Sequence, residues 1–439
     1  MLLTKETLLI LTQRGWQAFA GLVTLIFISN YLSPEQQGWY YTFISIIALY
    51  SVFEMGLATA ILQVGAHMFV GLGWGPRGSV QGASASTFVS LTNSSLKIYS
   101  KLTLAFVLIV LPIGFYIFSA RDNSFISGSW EIPWVAAVIT TAISMIVLPF
   151  VALVEGSGEI KEVYLVRLLQ GFLGAITCWI VIMYGGFLWG VLMMPLASFL
   201  ISVFWLLVYR PRLVSQAWCV SKDSQFNWRE QVWSLQWRVG VSWIGVYFMS
   251  QLATPILFFF KDAIVAGQMG FTLTIAHMIG ILSQSWITRH VPAMSAAARR
   301  SDWKSLDKLF FGDLKYMTAI FFLAACIVLA IYRIFSHTEY IDRFLPFWQF
   351  LGLLAFVFLF QVNLALSTYL RSFGKEPLMS LIALGAILIV GGTLWSALRF
   401  SSAEVVWTML LVQGLIILPL SIHVWKKCRG RWCVEGNSR

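Results

Sequence analysis

Residues 187–208 read FLWGVLMMPLASFLISVFWLLV, an uncharged apolar run that starts after Gly185-Gly186 and ends at Tyr209-Arg210-Pro211-Arg212. About 20 such residues, wound as a helix, cross the hydrocarbon core of a bilayer. Only a helix or a closed barrel pairs all its backbone groups internally where no water can serve them. The run recurs along the chain. Twelve stretches share its character: 8–31, 40–66, 98–120, 131–154, 163–184, 187–208, 238–260, 263–286, 312–335, 345–368, 377–398 and 404–425. Hydrophobic residues make up 59% of the 439 positions and charged ones 11%, and mean hydropathy is +0.79. That composition cannot furnish the polar surface of a water-soluble domain. The expectation is an all-α polytopic membrane protein with about twelve transmembrane helices.

The basic residues orient it. Of 30 Lys and Arg, only Arg121, Lys261, Arg333, Arg343 and Arg399 fall in one set of alternate gaps, and Arg14 lies inside the first span. The rest lie on the other side. Cytoplasmic segments carry the Lys and Arg excess, so both termini are expected in the cytoplasm. The net charge of +11 follows from this topology. It calls for anionic lipid headgroups and no nucleic acid. Aromatic residues mark the expected boundaries: Trp39-Tyr40-Tyr41, Trp130/Trp134 and Phe347-Trp348 outside, and Trp228, Trp233 and Trp237 inside. Thr12, Gln13, Arg14 and Gln17 interrupt the first run, so it is not read as a cleavable signal.

The gap 209–237 divides the chain into six spans plus six. The expected domains are an N-terminal half (1–208), a cytoplasmic linker with an interfacial helix at 227–238 (209–237 overall), a C-terminal half (238–425) and a basic tail (426–439). An even count means both halves enter from the same side, as in a parallel repeat around a central cavity. Gln13-Arg14 opens the first half and Gln236-Trp237-Arg238 the second. Nearly the same interval separates Arg14 from Glu54 and Arg238 from His277. Gly71, Gly73, Gly75 and Gly78 follow a membrane helix rather than a strand, so they read as a flexible loop and not a dinucleotide fingerprint. Residues 87–101 have the pattern of an amphipathic helix.

Catalysis finds little support. The outer loops are short, leaving no room for the catalytic loop of a membrane glycosyltransferase or polymerase. No phosphate-binding loop occurs, since Gly374-Lys375 is followed by Glu376. The five cysteines give no disulfide framework, and Cys428-x4-Cys433 lacks companions for a metal site. No cofactor, metal or catalytic residue is expected. Ionisable groups inside spans are costly and so become functional candidates. Arg14 and Gln17 lie in span one, Glu54 mid-depth in span two, and Gln63 near its inner end. Arg14 and Glu54 read either as an ion pair joining two helices or as a cavity site, with Arg14 facing an anion and Glu54 modulating it or carrying a proton. In the second half, Arg238 stands at the inner mouth, as interface anchor or anion contact. Thr274, His277, Gln284 and Thr288 form a polar stripe on span eight. Asn363, Ser367 and Arg371 follow at i, i+4 and i+8 on span ten, with Arg371 near the inner interface. Pro112, Pro195, Pro255 and Pro419 inside spans permit bends.

The stretch Leu32–His67, LSPEQQGWYYTFISIIALYSVFEMGLATAILQVGAH, carries a resemblance. Leu32-x-Pro34-Glu35-x-x-Gly38-x-Tyr40, then Phe53-Glu54-x-Gly56-Leu57, then Gln63 are similar to the opening hairpin of Wzx-type polysaccharide flippases. These belong to the multidrug/oligosaccharidyl-lipid/polysaccharide exporter superfamily. Here Pro34 and Gly38 are read as making a tight outer turn. The resemblance implies alternating-access movement of an undecaprenyl-diphosphate-linked oligosaccharide across a bacterial inner membrane for O-antigen or lipopolysaccharide synthesis. Arg14 and Arg238 would then face the diphosphate while Gln and Asn side chains face sugar hydroxyls. The implied partners are that lipid-linked substrate and membrane lipids, with a polysaccharide polymerase and chain-length regulator as further candidates. Few deep cations are available for a diphosphate. The competing reading is a multidrug or metabolite antiporter of the same superfamily, favoured by Glu54 and an aromatic content of 15%. A peptidoglycan-precursor flippase would need two further spans.

Overall fold

The computed structural model describes residues 5–121, 130–218, 228 and 232–437. Helices dominate: α1 (Lys5–Tyr31), α2 (Pro34–Ile47), α3 (Tyr50–Glu54), α4 (Leu57–Met68), α5 (Ala85–Ser119), α6 (Glu131–Gly156), α7 (Ile160–Met183), α8 (Trp189–Tyr209) and α9 (Pro211–Trp218). There follow α10 (Ser234–Gln251), α11 (Ala253–Phe260), α12 (Ala263–Thr288), α13 (Val291–Arg299), α14 (Trp303–Ile334), α15 (Phe347–Arg371), α16 (Met379–Arg399), α17 (Ser402–Leu411) and α18 (Leu418–Asn437). Ten helices among the described residues are long and apolar enough to cross a membrane, and an eleventh counts if the bent pair α10–α11 is one span. The chain is a multi-pass membrane protein. The first expected span is the 27-residue α1, which is not among those eleven because Gln13, Arg14 and Gln17 dilute its apolar run.

Three spans are irregular, each for a local reason. The α2–α4 span breaks where Met55 (φ 49°) and Gly56 (φ 71°) adopt the left-handed conformation. That conformation costs a non-glycine residue roughly 1–2 kcal/mol. The α10–α11 pair bends by 45°. Pro255, third residue of α11, removes an N–H there, and its ring displaces the carbonyl of Gln251, four residues earlier. A π-helical turn over Val412–Ile417 precedes Pro419, which likewise excludes regular pairing.

The chain forms two compact units: Met1–Ser33 with Phe43–Trp243, and Pro34–Thr42 with Ile244–Arg439. In the first, α1 packs on α7 and α6 packs on α4, α5 and α8. Trp16 lies against Phe172 with ring centroids 4.8 Å apart, and Phe43 lies against Phe118 at 4.5 Å. The glycine-rich segment after α4, expected as a flexible loop, is instead a two-stranded antiparallel hairpin, β1 (Gly73–Trp74) and β2 (Val80–Gln81). Long-range contacts order it. The Trp74 indole N–H donates to Ser157 (3.0 Å), Arg210 lies 4.3 Å over the Trp74 ring, and the Val80 N–H donates to Gln216 (3.2 Å). The amphipathic stretch 87–101 begins the 35-residue α5 rather than forming a separate helix. Of the expected interfacial helix, 227 and 229–231 lie outside the described residues, and Ser234 onward already belongs to α10.

In the second unit, α12 packs on α14 and α15, and α15 on α17 and α18. The first turns of α2 belong here. Gly38 lies so close to the start of α12 that a Cβ on it would sit 1.7 Å from the Ala263 carbonyl oxygen. Gln37 Nε2 donates to the carbonyls of Gly267 (3.0 Å) and Arg343 (3.1 Å). Pro34 and Gly38 therefore do not form a tight turn. Pro34 begins a helix, where its missing N–H is harmless, and Gly38 permits a backbone crossing.

Candidate functional site

Two neighbouring features in the first unit gather its membrane-level polar groups. The first is the break at Met55–Gly56. Two consecutive left-handed residues expose the N–H groups that start α4, and Glu54 meets them. Its carboxylate accepts from Gly56 N–H (2.8 Å), Ala58 N–H (2.6 Å) and the Tyr99 hydroxyl (2.9 Å). A negative charge at a helix N-terminus also lies favourably in the helix dipole. Gln236 of α10 completes the break by donating from Nε2 to the Met55 carbonyl at 2.5 Å. A Cβ at Gly56 would approach Trp243 Nε1 to 3.0 Å. The expected Arg14–Glu54 ion pair does not form. Glu54 is committed to backbone donors released by the break, and Arg14 is exposed on α1 with no ion-pair partner among the described residues.

The second feature is a partly open cavity of about 140 Å³ lined by α4, α6, α7 and α8. Thr59, Ser144, Glu155, Arg167, Gln170 and Ser202 supply its polar lining. Glu155 ends α6 and Arg167 lies two turns into α7, so the short Gly156–Glu159 connection sets them face to face. The pair is bidentate, with Nη2 to Oε2 at 2.6 Å and Nη1 to Oε1 at 3.3 Å. Gln170, one turn further along α7, donates to the Ser202 hydroxyl (2.6 Å) and the Ser198 carbonyl (3.3 Å). The volume suits a few waters, each occupying about 30 Å³ in the liquid. It is well below the roughly 300–1,000 Å³ of sites that enclose drug-sized molecules. The cavity can therefore hold water, but it cannot enclose an organic cargo.

Below it, Arg210 joins α8 to the hairpin. It pairs with Glu162 (2.5 and 3.2 Å), which also accepts from the Trp205 indole N–H at 2.6 Å. Only 8% of the Arg210 side chain is exposed, so this cation is neutralised within the protein.

The remaining sequence candidates are scattered. Gln17 and Gln63 are exposed on α1 and α4. Arg238 is exposed on α10 and lies 5.5 Å over the Trp237 ring. Arg371, at the end of α15, is paired with Glu376. In the second unit, His277 and Gln284 share α12, and Asn363 is buried on α15, which packs against α12. His277 Nε2, Gln284 Oε1, Asn363 Oδ1 and Ser367 Oγ are buried with no hydrogen-bond partner among the described residues. Buried polar atoms of this kind call for water or a ligand. No group of His, Cys, Asp and Glu able to hold a metal occurs among the described residues.

Glu155, Gln170 and Ser202 were not singled out from the sequence, and Arg167 was counted only as a topological charge. A signal existed. Arg167 and Gln170 share a face at i, i+3, and Glu155 lies across a glycine turn from them.

The chain forms two helical units with broken helices, an arrangement that recurs among secondary transporters. Solved structures agree. A multidrug resistance MATE family transporter of the MOP superfamily, inward-facing, aligns over 95% of both chains at 13% identity with a TM-score of 0.62. A MATE protein in its straight conformation aligns over 98% of this chain and 95% of its own, at 16% identity and a TM-score of 0.57. A MOP superfamily transporter from Pyrococcus furiosus aligns over 97% and 94%, at 15% identity and a TM-score of 0.55. That protein is described as having a binding pocket of reverse polarity that suggests a different function. The chain thus shares its fold with these solved structures. No family model matches it, and no curated protein does.

Proposed function

We propose that the protein is a proton-coupled exporter of amphipathic organic molecules, a multidrug or metabolite antiporter. The observation that carries this reading is the Glu155–Arg167 pair in a small polar cavity, within a fold shared with multidrug transporters. Arg167 already supplies a full positive charge to the carboxylate, so a metal cation would have to displace it. A proton needs only to neutralise Glu155, which releases Arg167 and reorganises the α6–α7 contact. The protein acts as a transporter and not an enzyme, and we place it in the bacterial cytoplasmic membrane with both termini inside. Proteoliposomes test it. An imposed pH gradient should drive uptake of a fluorescent organic cation, and Glu155→Gln should abolish that dependence while leaving binding intact. Uptake that follows a sodium gradient and ignores pH would overturn the proton reading.

One observation favours a second reading, a flippase for lipid-linked oligosaccharide. The hairpin Leu32–His67 has the Wzx-type pattern. Weighing against it, the expected anion contacts Arg14 and Arg238 are not among the residues that line the polar cavity. Deleting the gene and assaying surface polysaccharide separates the two: loss of polysaccharide with internal accumulation of its lipid-linked precursor supports the flippase.

A further inference from the structure

The helix α14 is 32 residues long, about 48 Å at 1.5 Å per residue, and exceeds the roughly 30 Å hydrocarbon core. Arg333, stacked 4.4 Å over Phe347, sits at its far end. About 20 residues back from there, the core ends near Lys315, so the earlier turns cross the headgroup layer and extend beyond it. Lys304, Lys308, Phe311 and Lys315 occur at i, i+4, i+7 and i+11 and fall on one helical face. All four are exposed. The same face continues with exposed Phe322 and Cys326.

Charge is sorted across this helix. Asp313 points inward, 4% exposed, to Arg289 (3.2 Å) and His290 (2.8 Å). Asp307 is taken by Arg429 and by the Tyr369 hydroxyl. Asp302 caps the helix by accepting the Ser305 N–H at 3.1 Å, and Lys304 lies within electrostatic reach of it. The three ammonium groups have no ion-pair partner among the described residues. Arg299 and Arg300, at the end of α13 packed on α14, are exposed too.

We infer that this face is a binding site for anionic phospholipid. Lys308 and Lys315, with Phe311 between them, meet phosphate headgroups, Lys304 adds its charge above them, and Phe322 lies along the acyl chains. The long stems of lysine suit this position, because they run beside apolar surface while the charge reaches the polar layer. A soluble acidic partner would satisfy the lysines but would leave the continuing apolar stripe unexplained. The inference is independent of the cargo.

The full-length protein, reconstituted in phosphatidylcholine bilayers, is tested with spin-labelled phosphatidylglycerol against spin-labelled phosphatidylcholine. Each lysine near the headgroups contributes about fivefold at most to association. The motionally restricted fraction should favour the anionic probe several-fold at low salt. K304Q/K308Q/K315Q should bring that preference to half or less, and K304R/K308R/K315R should keep it, with thermal unfolding unchanged in both. An unaltered preference in the Gln variant overturns the inference. So does a change of oligomeric state in that variant without a change in lipid preference, which would mean that a second copy covers the face.

Discussion

Gly38→Ala adds one methyl group where the structure has no room for it. The new Cβ would lie 1.7 Å from the Ala263 carbonyl oxygen and 2.5 Å from its carbon. Ordinary contact is about 3.5 Å, so α2 and α12 would have to separate by nearly 2 Å. The Gln37 bonds to Gly267 and Arg343, now 3.0 and 3.1 Å, cannot survive that shift. Overpacking costs about 1–3 kcal/mol, and two lost hydrogen bonds add about 0.5–1.5 kcal/mol each. Better helix propensity returns up to about 1 kcal/mol. The expected net loss is about 1–5 kcal/mol. Thermal unfolding of purified protein in detergent measures it, with Gly391→Ala as control. Nothing lies within 4 Å of a Cβ at Gly391, so that variant should be neutral or slightly stabilising. If Gly38→Ala unfolds together with the control, the close crossing does not exist and the assignment of Pro34–Thr42 to the second unit is wrong.

Glu54→Ala should cost about 1–3 kcal/mol by stripping the α4 start of its acceptor, and Glu54→Gln about half, by the same unfolding assay. Equal stability of all three proteins would show that the break needs no cap. Arg210→Met should cost about 3 kcal/mol, the lower end of the range for one removed partner because Glu162 is 25% exposed. Adding Glu162→Gln should recover part of the loss, and strict additivity would refute the pairing. A cysteine at Tyr184, 82% exposed between α7 and α8, should react with impermeant reagent applied from outside, while one at Ser301 should not. The reverse result would invert the topology. The Ser305 hydrogen bonds hold Asp302 below the usual carboxylate range. A depressed group contributes above its unfolded pKa and loses that contribution as pH falls through the folded one. Amide-exchange protection at the start of α14 should therefore persist below the pH at which free aspartate protonates, and Asp302→Asn should remove that pH dependence.

Local patterns were legible. The run 187–208 became α8, 131–154 became α6 and 345–368 became α15 with only small changes of boundary, because apolar continuity is a property of a segment by itself. Pro255 and Pro419 marked real irregularities for the same reason. Glu54 was legible as important but not as a cap, since its partners are N–H groups freed by a break two residues later. Gly38 was visible as a motif residue, yet its use is against Ala263, more than 200 positions away. The glycine run at 71–78 pointed to looseness, and Trp74, Arg210 and Gln216 ordered it from elsewhere in the chain.

By itself the amino-acid sequence determined that this is a helical, multi-pass membrane protein with its basic residues segregated to alternate gaps. The bilayer imposes that pattern on each segment independently of its neighbours. Only the tertiary structure decided which polar residues act together. It paired Glu155 with Arg167 and Glu162 with Arg210, left Arg14 without an acid among the described residues, and moved the first turns of α2 into the second unit. A charge in a low-dielectric interior is settled by the partner that reaches it, and that partner is chosen by packing across distant parts of the chain.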